Sequence, residues 1–336
     1  MDSPLIKIWN NLNDEDRLAI FVEAGERAGL PATAIEKDWW VTLALNIVFT
    51  TEFAEHLVFK GGTSLSKGWN LIERFSEDID LAIDRKFLGF EGDLIKSQVE
   101  KLRKESCSFI STDFARAISV KIEELGITDI TLTIPDFTAS NTDPLSLELN
   151  YKPLTEEITY LQPRVLIEVG ARSLMEPSTE RKIKSLVGEH FSDREFADKP
   201  ISINTVLPKR TFLEKAFLLH EEFQRSIDHI KVDRLSRHLY DLDKLAITEH
   251  CEEAMNDTEL YQSIITHRQM FNLVKNIDYA NHQPDKIGLI PPIAVLKDWE
   301  ADYLIMQESM IYGDSKNFDE LIQSIETIME RFRKIE

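Results

Sequence analysis

The stretch from Leu57 to Asp84 constrains this chain more than any other. Leu57 to Lys60 is a short apolar run, Gly61-Gly62 is a turn signal, Thr63 to Ile72 has helical spacing, and Asp78 to Asp84 alternates polar and apolar residues. Strand, glycine turn, helix, strand within so short a span demands a sheet, and places this part of the chain in the α/β (α+β) class. The flanks agree. Residues 14 to 29 read as an amphipathic helix that starts on acids and stops at Gly29 before Pro31, and a second helix is expected from about Ala32 to Thr50.

Residues 91 to 125 look helical, with an expected break near Ser106 to Thr112. The runs Ile130 to Ile134, Leu145 to Tyr151, Arg164 to Val169 and Ile201 to Leu207 read as strands completing a mixed sheet. From Thr211 onward the period is helical, with breaks near Asn256, Asn281 to Pro292 and Gly313. Two domains are therefore expected: residues 1–207 as an α/β core with N-terminal helices, and residues 208–336 as a helical C-terminal domain.

Composition narrows the functional classes. With 39 Lys and Arg against 59 Asp and Glu, the formal net charge of the 336-residue chain is −20. Such a chain does not coat nucleic acid by bulk counterion release, so any such contact needs a confined set of cations, for which Lys60, Lys67, Arg74 and Lys215 are candidates. Cys107 and Cys251 form no CxxC or Cys/His spacing, so neither a disulfide framework nor a zinc site is expected. No run of about 18 apolar residues occurs, and the N-terminus lacks a signal-peptide pattern. A soluble, cytoplasmic protein without membrane contact is the expectation.

The acids of the opening stretch carry the chemistry. In a strand, residues i and i+2 share a face, so Asp78 and Asp80 set two carboxylates side by side while Ile79 and Leu81 face away. Mg2+, or Mn2+, offsets that like-charge crowding and takes carboxylate plus phosphate oxygens. Gly61 and Gly62 let backbone amides approach an anion, the following helix adds its positive dipole end, Thr63 or Ser64 can add a hydroxyl, and Lys60 and Lys67 can add charge. A triphosphate suits such a frame. Taken singly, the glycine pair is an ordinary turn and the acid pair a solvated strand end; the two together are more specific. A Walker-type loop is excluded because GxxxxGK[ST] is absent, and a dinucleotide fold because GxGxxG is absent.

These residues carry a family resemblance. Gly61-Gly62-Thr63-Ser64-Leu65-Ser66-Lys67 and Phe75-Ser76-Glu77-Asp78-Ile79-Asp80-Leu81 resemble the nucleotidyltransferase-fold toxins of the AbiEii/AbiGii family, a branch of the polymerase-β-like nucleotidyltransferase superfamily. Glu36-Lys37-Asp38-Trp39 resembles that family's upstream helix motif, Lys215 its characteristic lysine, and Arg237-His238-Leu239-Tyr240-Asp241-Leu242 its RDxYDL element, with His238 where the family usually has aspartate. The C-terminal run from Trp299 to Phe318 also has the family's texture.

The resemblance implies a polymerase-β-like core and a toxin of a toxin-antitoxin or phage-defence (abortive infection) system. It implies transfer of NMP from an NTP, with pyrophosphate departing, to an acceptor such as the 3′ end of tRNA or another RNA, and a cognate antitoxin encoded alongside. The NTP and metal would lie in a cleft between the two domains. Asp78 and Asp80 would be the metal ligands. Glu168, an acid in an apolar run, would be a third ligand or a salt-bridge partner of Arg164 or Arg172. Lys215 would point toward the triphosphate. Asp241 could orient Lys215, hold the nucleotide or act as a base, and the sequence does not choose. Two other functions stay open: transfer to a protein or small-molecule hydroxyl, and NTP binding without catalysis.

Overall fold

The computed structural model describes residues 4–76, 78–137, 139–156, 162–172, 175, 177–271 and 276–335. Glu77, part of the acidic motif quoted above, lies outside them. The chain separates into two compact units: Met1–Gly68 with Ser76–Val206, and Trp69–Phe75 with Leu207–Glu336.

The first unit is α/β and holds one seven-stranded mixed sheet. Its strands are β1 (Leu57–Lys60), β2 (Asp78–Ile83), β3 (Ile130–Thr133), β4 (Leu145–Tyr151), β5 (Arg164–Gly170), β6 (Ser178–Ile183) and β7 (Ile201–Val206), in the order β3-β4-β5-β2-β1-β7-β6. β2 and β5 pair in parallel, as do β1 and β7, while the remaining neighbours are antiparallel. The alternation in β2, β4 and β5 buries one side of the sheet: Ile79, Leu81, Leu145, Leu147, Leu149, Val165, Ile167 and Val169 are all at most 2% exposed.

Helices α1 (Pro4–Asn11), α2 (Asp14–Ala28) and α3 (Ala32–Phe49) precede the sheet. α2 is capped by the Asn13 side chain, which accepts from the Asp16 N–H, and stops at Gly29 in the left-handed conformation (φ 69°). α3 packs on β2 and β5. Trp39 stacks on Trp9 at 4.5 Å and Trp40 on Tyr151 at 4.7 Å, joining α3 to α1 and to β4.

Two local expectations are corrected and one strand is added. The helix expected over Thr63 to Ile72 is shorter: one α-turn (Gly61–Thr63) runs into a π-turn (Ser64–Gly68), and Asn70, with φ 53°, is in a conformation no helix continues through. The break expected near Ser106 to Thr112 is instead a π-turn, Ile110–Phe114, inserted between α4 (Lys96–Phe109) and α5 (Ala115–Leu125). β6 carries no strand signal in the sequence. As an edge strand of polar and charged residues it buries only Ile183, so it shows no apolar alternation. α6 (Leu186–His190) follows it.

The second unit is helical: α7 (Pro208–Phe223), α8 (Arg237–Ala246), α9 (Glu249–Asn256), α10 (Thr258–Phe271), α11 (Leu296–Ser309) and α12 (Phe318–Phe332). Its core stacks Phe212 on Phe332 at 5.9 Å and sets Phe217 edge-on to Tyr261 at 5.0 Å. Residues 73–75 belong to this unit, zipped antiparallel to residues 310–312: Phe75 N–H donates to Met310 O at 2.9 Å, and Tyr312 N–H to Glu73 O at 3.0 Å. Among the described residues no helix is long and apolar enough to cross a membrane.

Candidate active site

In the first unit the strand register gathers the acids. Lys60 on β1 stands opposite Asp80 on β2, Asp80 opposite Glu168 on β5, and Glu168 opposite Ser146 on β4. Opposed residues share a face, so these four form one polar row across the sheet, with Asp78 two residues along β2 on the same side. Burial of Glu168, and then the charges of Asp80 and Asp78, push its carboxyl up to about 7, while Lys60 pulls the other way; the protonated form hydrogen-bonds Asp80. Arg164 and Arg172, the alternative partners, pair with Glu148 and Asp143. Among the described residues no three His, Cys, Asp or Glu side chains are already gathered into a metal-ligand set. The sheet presents an acid pair on one strand and a third acid, its carboxyl raised by burial and by that pair, on the next.

Gly61 is needed where it stands. Its φ is +78°, and a Cβ there would lie 1.9 Å from Asp80 Oδ2. Gly61→Ala is therefore strained in its backbone and in collision with the site. It is expected to lower stability by at least about 1 kcal/mol, measured by urea denaturation, and an unchanged midpoint would show that both the backbone and Asp80 relax around the added Cβ.

The hydroxyls beyond the glycines are occupied. Thr63 Oγ1 donates toward Asp78 O and lies 2.9 Å from Ser76 Oγ, and Ser64 Oγ donates to Gly61 O at 2.8 Å; both residues are fully buried. They build the turn from inside. Lys67 is also engaged, its ammonium paired with Asp38 of α3. Gly62 is buried and Lys60 half-buried.

The second unit holds a separate charged cluster. His238 and Asp241, three residues apart on α8, both reach Lys215 of α7. Lys215 Nζ lies 2.7 Å from Asp241 Oδ2 and 3.4 Å from His238 Nδ1. Arg74 closes the cluster with two parallel bonds to Asp241, Nε to Oδ1 and Nη2 to Oδ2, each 2.7 Å. Arg74 is 2% exposed, Asp241 0% and Lys215 6%, so the charges meet out of water. Burial would raise the Asp241 carboxyl, but Arg74 and Lys215 hold it well below the usual carboxylate range. Burial, then Lys215 and Arg237, hold His238 neutral. Burial also lowers the Lys215 ammonium, against the pull of Asp241.

The structure thus brings together Lys60, Gly61, Asp78, Asp80 and Glu168 in one unit, and Lys215 and Asp241 in the other. The pairing of Arg74 with Asp241 and the place of Ser146 opposite Glu168 were not foreseen. Both depend on contacts between distant segments, for which a single sequence has no signal beyond the arginine standing close before the acid pair.

A family model described as nucleotidyl transferase AbiEii toxin, type IV toxin–antitoxin system, matches residues 45–330. No curated protein matches the chain. Among solved structures, JHP933 from Helicobacter pylori is similar at 15% identity and TM-score 0.44, covering 90% of this chain and 92% of that one. MenT4, the nucleotidyltransferase toxin Rv2826c from Mycobacterium tuberculosis H37Rv, is similar at 17% identity and TM-score 0.42, covering 95% of this chain and 99% of that one.

Proposed function

The chain belongs to the nucleotidyl transferase AbiEii toxin family of type IV toxin–antitoxin systems, and from that premise we propose a metal-dependent enzyme that transfers NMP from an NTP to an acceptor hydroxyl, the 3′ end of RNA and of tRNA in particular. Membership implies a cognate antitoxin, and disabling an RNA of translation would arrest growth. The observation that carries the proposal is the polar row in which Asp80 packs on Gly61 beside Glu168.

The donor set fits a divalent cation. Asp78 and Asp80 present hard carboxylate oxygens on one face, and Glu168 stands opposite Asp80 on the neighbouring strand. Asp78 and Asp80 would hold Mg2+ or Mn2+, with Glu168 as the third carboxylate. When bound, the cation would supply charge neutralisation at the attacking and leaving oxygens. The chain's own groups do the rest. The Gly61-Gly62 backbone allows close approach of a phosphate, and Lys60 adds positive charge. The acceptor hydroxyl oxygen bonds to the α-phosphorus, the bond from that phosphorus to the bridging oxygen breaks, pyrophosphate leaves with its electron pair, and the hydroxyl proton passes to a base. The family resemblance gives Lys215, paired with Asp241 inside the second unit, a part in the transfer. Asp241, held ionised and fully hydrogen-bonded, is a weak base and suits orienting Lys215.

Asp80→Ala is expected to cut labelled NMP transfer to RNA on the order of 10³-fold while the unfolding midpoint is kept or raised. Retained incorporation would overturn the assignment. Label in protein or a small molecule would move the acceptor, and tight NTP binding without pyrophosphate release would leave a nucleotide-binding module.

A further inference from the structure

Three consecutive charged residues, Glu36, Lys37 and Asp38, sit on α3, a helix whose other residues are largely buried apolar side chains. Successive residues on a helix point about 100° apart, so each faces a different neighbour. The Glu36 carboxylate accepts from Leu154 N–H at 2.8 Å, from Thr155 N–H at 3.0 Å and from the Thr155 hydroxyl. Lys37 Nζ donates to Gln162 O at 3.0 Å and to Arg164 O, at the start of the strand that bears Glu168. Asp38 pairs through Oδ1 with Lys67 and accepts through Oδ2 from Leu186 N–H at 2.7 Å.

The Asp38–Lys67 pair bears on the site. The turn Gly61–Gly68 starts at the glycine against Asp80 and ends in a single π-turn, a rare form that does not continue as a helix. Such a turn needs outside anchors. Besides the Thr63 hydroxyl, its anchors include Arg181, whose Nε donates to Gly68 O at 2.8 Å, and Asp38, which holds Lys67 where the side chains are 14% and 10% exposed. A pair so far out of water is costly to separate, and an ammonium already neutralised by a carboxylate is a poor phosphate ligand.

We infer that Asp38 is a positioning residue for the nucleotide site, with Lys67 as its anchor on the Gly61–Gly68 turn rather than a direct ligand of the triphosphate. The inference rests on the function proposed above for its binding arm only. Asp38→Asn, Lys67→Met and the double variant are compared with the wild type by calorimetric NTP binding without acceptor, by amide hydrogen exchange over residues 61–68, and by thermal midpoint. The expected result is that each single variant weakens NTP binding about tenfold, that the double variant is no worse than either, and that Lys67→Arg restores binding. Exchange in the turn should rise about tenfold in both single variants. Lys67→Met leaves Asp38 capping Leu186, so one variant keeps the fold if the other loses it. The inference is overturned if Asp38→Asn binds NTP as well as or better than wild type while Lys67→Met alone weakens it, which makes Lys67 a ligand, or if exchange over residues 61–68 is unchanged. If the wild type binds no NTP, the proposed function fails, while the exchange arm still decides whether Asp38 anchors the turn.

Discussion

Asp241→Ala is expected to destabilise the protein by about 3–5 kcal/mol, read as a lowered urea midpoint with an unchanged slope. The magnitude follows from what is left behind. Arg74 has two 2.7 Å bonds to that carboxylate and Lys215 a third contact of the same length, and both cations are almost wholly out of water. Without Asp241, the buried cations Arg74 and Lys215 lose the carboxylate they share and repel each other. Asp241→Asn should cost less, because the amide oxygen still accepts one bond, but it leaves the charges uncompensated. Replacing Arg74, Lys215 and Asp241 together with Met, Met and Leu removes the buried charge altogether, and should recover most of the loss while abolishing transfer. A loss below about 1 kcal/mol for Asp241→Ala, the scale of an exposed ion pair, would mean that water reaches the cluster and that its charges do not depend on one another.

Glu168→Gln is expected to act in the opposite sense, stabilising the ligand-free protein by about 1–3 kcal/mol at pH 8. The Glu168 carboxyl is raised from 4.5 to about 7 in the folded chain, by burial and by the charges of Asp80 and Asp78. Between those two values the folded state holds a proton that the unfolded state has released. Stability from this group is therefore present below about pH 4.5, is lost as pH rises, and is gone above about pH 7. Glutamine cannot ionise, so the variant should lose this slope while keeping the hydrogen bond to Asp80. Chemical denaturation at pH 5 and pH 8 checks the sign: the difference between variant and wild type should be small at pH 5 and favour glutamine at pH 8. A variant less stable than wild type at pH 8 would show that the carboxylate is satisfied there. On the proposed reading, adding Mg2+ or Mn2+ should raise the wild-type midpoint more than that of Glu168→Gln, since the crowding that destabilises the empty sheet favours the cation.

These effects differ in how far they could be anticipated from the chain. The side-by-side placement of Asp78 and Asp80 is a local matter, because successive residues of a strand alternate faces whatever the strand pairs with. Glu168 stands out as an acid inside an apolar run, but its neighbour is set by the register of β5 against β2, and a slip of one residue would have turned it to the buried side. The glycine turn is legible as a turn; that Gly61 has no room for a side chain because Asp80 lies against it is a contact across the sheet. Lys67 has the same residue type and spacing whether it meets a phosphate or Asp38, and only the fold distinguishes them. Helical spacing over Thr63 to Ile72 is misleading because residues 69–75 take their conformation from the second unit, where residues 73–75 pair with residues 310–312.

By itself the sequence determined the α/β class, the mixed sheet, the helical C-terminal half, the acid pair on its strand and the glycine turn before it, because each rests on periodicity or backbone chemistry within a few residues. The tertiary structure alone decided which charges meet: Glu168 with Asp80, Lys67 with Asp38, and Arg74 with Asp241 and Lys215. The physical reason is that the energy of a charge depends on its burial and on partners brought from distant segments, and neither quantity exists until the chain has folded.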